Sequence, residues 1–173
     1  MDVWKRIIPL VITMSLVELI YDKEKLKETI KKTKILDEEI NVIFKVNGEL
    51  LGAIVWVEKG KIEGDVCDLY GFFQDILIGL AFLLDEGKST RRDYYRIKVE
   101  KFGPIDRIKN PDLAYLTPLF FHFNRYVFEL DKDKDELIIH YRNDMYLYED
   151  RAGKTGMVRV PLKEFTKEIV KLA

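Results

Sequence analysis

An α+β domain is predicted: a mainly antiparallel sheet packed around one buried central helix at about residues 69–86, with an N-terminal and a C-terminal helix. Three observations carry this. From Leu69 to Leu84 only Gln74 and Asp75 are strongly polar, so a helix there should be covered over most of its surface. Ahead of it, alternating apolar residues lead into Asn47-Gly48, the strongest short-range hairpin signal. Helical and strand-like stretches also follow one another in blocks, so parallel crossover units are not needed.

The 173 residues, 47% of them hydrophobic, suffice for one well-filled core and are few for two, which predicts a single domain over residues 1–173. Basic and acidic residues balance at 29 against 30, so no global field gathers nucleic acid or an anionic membrane. Cys67 is the only cysteine, which excludes an internal disulfide framework and fits a reducing, cytoplasmic setting. Lysine outnumbers arginine 20 to 9, isoleucine occurs 18 times and Gln74 is the sole glutamine, a thermophile-like composition.

Along the chain, Trp4-Lys5-Arg6 followed by an apolar run has the outline of a signal peptide. Glu18 interrupts the run and no small-residue cleavage site follows, so neither secretion nor membrane anchoring is expected. Alternation from Ile12 to Leu16 fits a half-buried strand, while Pro9 equally suits a helix start; both readings stay open. Residues 22–34 give a short helix with Leu26 and Ile30 on its apolar stripe. Its lysines, interrupted by Glu24 and Glu28, keep an exposed face solvated.

Ile40, Val42, Phe44 and Val46 mark one hairpin strand and residues 50–58 the return, with Ile54 to Val57 apolar enough for a strand covered on both faces. A short piece around Lys61 then leads to Asp68, a helix N-cap, with Gly87 suited to close the far end. Gly71, Asp75 and Gly79 share one line of that helix, where glycines relieve packing and Asp75 marks a wet edge. The cluster Lys88 to Arg92 complements the helix's negative C-terminal end. Residues 93–102 read as a strand and 104–118 as a proline-restricted loop.

Residues 119–130 and 136–142 read as two strands around Asp131-Lys-Asp-Lys-Asp135. That loop resembles the start of a calcium site but has Glu136 where the bend needs glycine and Arg142 where the bidentate glutamate belongs, so a polar hairpin loop is expected. Gly153-Lys154-Thr155 likewise lacks the earlier glycine of a phosphate loop, Tyr148 standing there, and reads as a hairpin tip between strands at 145–149 and 157–160. Pro161 then starts a terminal helix with Leu162, Phe165, Ile169 and Leu172 on its apolar side.

Placing Leu130 opposite Glu136 puts Tyr126 opposite His140, Asn124 opposite Arg142 and His122 opposite Asp144. One polar face then gathers His122, His140 and Asp144 as acid–base candidates, with Asn124, Tyr126 and Arg142 as ligand-binding candidates. Two histidines and a carboxylate there also suit a divalent metal. Antiparallel sheets commonly have one wet side, however, and the same pattern describes it. Nucleophile elbow, zinc spacing, dinucleotide fingerprint and phosphate loop are each absent or broken, so no cofactor is expected. The leading expectation is a non-catalytic soluble domain acting through a protein partner or self-association, motivated by its aromatic content. A small hydrolase or a ligand- or metal-binding protein using the His122/His140 face is the alternative. RNA contact through Lys88, Arg91, Arg92 and the early lysines ranks below both.

Overall fold

A computed structural model of the chain describes residues 15–33, 39–85, 109, 114–116, 124–147 and 152–173. Its architecture is α+β, with antiparallel pairing in nearly every strand contact.

Strand β1 (Val17–Tyr21) opens the described chain, and the helix α1 (Lys23–Thr33) follows at once. Asp22 fixes the junction, because its Oδ1 accepts from the backbone N–H groups of Glu24 and Lys25 at 3.0 and 2.9 Å, satisfying donors that a first helical turn leaves unpaired. Next come β2 (Glu39–Val46) and β3 (Glu49–Gly52), joined by Asn47 and Gly48 at φ 50° and 80°. Two consecutive positive φ values are what a type I′ hairpin needs, and asparagine followed by glycine accepts them at least cost.

The return strand does not continue to residue 58 as the apolar run suggested. It bends at Ala53, and β4 (Ile54–Trp56) joins a second sheet. Val57 is 39% exposed at the turn into β5 (Lys61–Glu63), so the run is not covered on both faces. A short strand that the sequence did not signal, β6 (Asp65–Asp68), then pairs with the first half of β2 and delivers the chain to α2 (Leu69–Leu84). Asp68 is the N-cap, its carboxylate accepting from Gly71 N–H at 3.0 Å. Asp85 is the C-cap; Gly87 lies outside the described residues, as do residues 86–108 with the basic cluster and the strand predicted at 93–102.

After β7 (Ala114–Leu116) the chain forms β8 (Asn124–Asp131), β9 (Glu136–Leu147) and β10 (Ala152–Pro161), then α3 (Leu162–Leu172). The strand expected at 145–149 is the end of β9, which runs on because Asn143 is not a break: its Nδ2 donates to the Ala53 carbonyl at 2.9 Å inside the core. Gly153-Lys154-Thr155 lies within β10 rather than at a loose tip. Gly153, at φ 99°, absorbs a register shift that lets the strand continue. The acidic loop is a tight turn, with Asp131 gripped by Arg159 at 3.1 Å and Asp135 near Lys163 at 3.3 Å.

One sheet has the order β1-β2-β3 with β6 on β2; the other is β5-β4-β9-β8-β7 with β10 on β9, and among the described strands only β4 and β9 run parallel. Phe44 of β2 joins the layers, meeting Phe72 of α2 edge-on at 5.2 Å and Tyr126 of β8 at 5.8 Å. Leu162, Phe165 and Ile169 bury α3 in the same core, Phe165 against Phe128 at 5.9 Å. Among the described residues no helix is long and apolar enough to cross a membrane.

Candidate functional site

The observed register of β8 and β9 differs by one residue from that inferred from the loop. Asp131 pairs with Glu136, so Tyr126 lies opposite Tyr141, Asn124 opposite Asn143, and Arg125 opposite Arg142. A one-residue slip reverses facing. The polar face assembled from the sequence is therefore divided between two sides of the sheet: Asn124 and Tyr126 turn into the core beside Leu137, Ile139 and Tyr141, while His140 and Arg142 share the opposite side with Arg125, Val127 and Glu129. His122 lies outside the described residues.

On the outer side, His140 meets Glu129, a residue not singled out in the sequence. Nε2 lies 2.7 Å from Glu129 Oε2, with the side chains 3% and 2% exposed, and the Lys109 N–H donates to Glu129 Oε1 at 2.8 Å. A carboxylate so placed orients an imidazole, but both groups are closed off from solvent, and the pair's chemistry is that of a satisfied buried interaction. Arg125 and Arg142 are exposed here, and Arg142 Nε donates to Asp144 Oδ1 at 2.5 Å.

The inner side carries a second polar group that joins the two sheets. Asn124 Nδ2 donates to Asp65 Oδ2 at 3.1 Å, and the Tyr126 hydroxyl donates to the Leu51 carbonyl at 3.1 Å. Burial pushes the Tyr126 phenol well above its ordinary value, with Cys67 and Asp65 adding to the shift. Asn124 Oδ1 is buried without a hydrogen-bond partner. At the rim Tyr141 donates to Glu49 Oε2 at 3.2 Å, and its phenol is raised chiefly by burial. Among the described residues no three His, Cys, Asp or Glu side chains converge on a point where a metal ion would fit.

Among the described residues a concave apolar surface lies elsewhere, on α2. Phe72, Ile76, Gly79, Leu80, Phe82 and Leu83 are buried in the core, and Leu69, Phe73, Leu77 and Ile78 are half-buried against it. Its remaining side exposes Tyr70, Gln74, Ala81 and Leu84, with Tyr70 52% and Leu84 48% exposed and Phe73 and Leu77 half-buried beside them. Around the N-terminal half of that side, Tyr21, Leu26 of α1 and Leu172 of α3 raise walls, forming a groove of about 460 Å³. Lys23, Lys25 and Lys31 of α1 are exposed. The sequence held the signal for this surface in the uniform apolarity of residues 69–84.

No protein-family model, curated protein or solved structure matches the chain. Function therefore has to be read from these surfaces.

Proposed function

We propose that this protein is a non-catalytic cytoplasmic association domain whose docking surface is the outward side of α2 and its groove. The observation that carries the reading is an almost wholly apolar helix that leaves Tyr70, Ala81 and Leu84 exposed among the described residues. A surface helix normally turns charge to solvent, whereas this one exposes Tyr70, Ala81 and Leu84 with Gln74 as the polar exception, and half-buries Phe73 and Leu77 beside them. Tyrosine and phenylalanine are favoured at interface centres, and lysines at the rim match the usual polar surround.

The reading is tested by retrieving partners from native lysate with tagged wild-type chain and with a Tyr70→Glu/Leu84→Glu variant. The expected result is a co-purifying protein, or an untagged copy of the chain itself, that is lost with the variant. Recovery of neither by the wild-type chain would refute it. The hydrolase or ligand-binding alternative around His122 and His140 draws no support from the Glu129–His140 pair, which is closed to substrate.

A further inference from the structure

We infer that Asn47 is a site of spontaneous covalent modification, at which the folded chain converts the side-chain amide to an acid and in part to an isoaspartyl linkage. The chemistry is intramolecular. The Gly48 backbone nitrogen, on losing its proton to solvent, attacks Asn47 Cγ. The new C–N bond closes a five-membered succinimide as the Cγ–Nδ2 bond breaks, and the leaving nitrogen takes up a proton to depart as ammonia. Water then opens the ring at either carbonyl, giving aspartate or, with the main chain rerouted through Cγ, isoaspartate. No oxidant or other co-reactant is needed.

Access favours this position. Asn47 and Gly48 are both exposed, and the space where a side chain on Gly48 would stand is empty to 4 Å, so nothing crowds the attacking nitrogen. The other described asparagines lie in strands. Asn41, Asn124 and Asn143 are followed by Val42, Arg125 and Asp144, whose side chains shield the next nitrogen, and Asn124 and Asn143 are buried as well.

Backbone geometry sets the route. Ring closure needs the Gly48 nitrogen on the same side of the Asn47 Cα–C bond as Cβ, which corresponds to a ψ of about −120°, the value at the first central residue of a type II′ turn. In the type I′ form ψ is near +30°, and the nitrogen points away from the side chain. The two forms share their φ at this residue, and Asn47 already holds it at 50°. Reaching the reactive form therefore takes a flip of one peptide plane, which carries φ of Gly48 from 80° to about −80°. Glycine accepts both signs without steric cost, so the strands need not part.

The product bears on more than the turn. Asn47 N–H donates to the Leu16 carbonyl at 2.8 Å, so the turn also fastens the edge beside β1. Isoaspartate adds a carbon to the main chain between Val46 and Glu49, which pair directly across the turn, and brings a carboxylate close to Glu49. Conversion should loosen hairpin and β1 together.

The test is peptide mapping by mass spectrometry of the full chain held at mildly alkaline pH, beside a synthetic peptide of residues 43–52. Asn47 should accumulate aspartate and isoaspartate while Asn41, Asn124 and Asn143 do not. Its rate should fall about ten- to a hundredfold below the peptide's, because a non-glycine residue seldom takes the reactive ψ. Urea below the unfolding transition should leave the rate unchanged, since a peptide flip exposes little new surface. A rate that climbs with urea in step with the unfolded fraction, or one equal to the peptide's, would overturn the flip as the route. An Asn47 that stays intact in the folded chain while the peptide converts would overturn the site itself.

Discussion

Truncating His140 to alanine should destabilise the fold by about 3–5 kcal/mol, the range for stranding one partner of a buried pair. The geometry supports the upper part of that range. At 2.7 Å, with both side chains almost wholly buried, water does not replace the lost partner. The imidazole's removal leaves Glu129 with the Lys109 N–H on its other oxygen and with a void where the ring was. Urea unfolding followed by circular dichroism at neutral pH would read the loss. With a slope of about 2 kcal/mol per molar, a 4 kcal/mol loss lowers the midpoint by roughly 2 M. The decisive quantity comes from the double-mutant cycle with Glu129→Ala, where a coupling of about 1.5–3 kcal/mol is expected for a charge-assisted hydrogen bond. A coupling below about 0.5 kcal/mol would show that the two side chains do not hold each other, and the description of the outer sheet face as a satisfied buried pair would fall.

Other outcomes follow from the same core. Tyr126→Phe should cost about 1 kcal/mol near neutrality by removing the bond to the Leu51 carbonyl. Because the folded state holds this phenol well above its ordinary value of 10.0, the stability from keeping it neutral is whole below about pH 10 and is lost as pH rises through the folded value; Tyr126→Phe should flatten that alkaline limb, as pH-dependent unfolding would show. Gly156→Ala should cost about 1–3 kcal/mol, since a Cβ there overlaps the Tyr141 ring, and its cost should shrink when Tyr141→Ala is present. Phe44→Ala, which removes the ring between Phe72 and Tyr126, should cost about 3–5 kcal/mol by chemical denaturation. The lysine- and isoleucine-rich, glutamine-poor composition predicts a thermal midpoint above about 65 °C by calorimetry.

Features set by neighbours in the chain were legible in the residues. Asn47-Gly48 needs only local backbone geometry, Asp68 needs only the N–H three residues on, and Leu162, Phe165 and Ile169 need only helical spacing. Features set by distant partners were not. The β8–β9 register turned on whether Leu130 or Asp131 closes the turn, and nothing in five alternating acidic and basic residues chooses between them. Arg125 and Glu129 did contain a warning, since their spacing places them with Val127, on the side opposite Asn124 and Tyr126. The choice divided the candidate site, because a single step carries His140 from Tyr126 to Val127 and Glu129. Likewise β6 has two aspartates among four residues, and its strand state rests on pairing with β2 and on Asn124 receiving Asp65. The cover on α2 depended on the rest of the fold, which composition does not specify.

The bend at Ala53 has a consequence for how the molecule assembles. The β2–β3 hairpin closes over a two-residue turn and can form within microseconds, whereas the strand leaving it, β4, has no partner on β9 until the chain has closed a loop of about ninety residues, the separation spanned by the Asn143 to Ala53 bond. Until then the second sheet exists without its link to the first. The rate-limiting step should therefore be the docking of two preformed hairpins across Ala53, and substitutions at Asn143 should slow folding while those at Gly48 alter an earlier event.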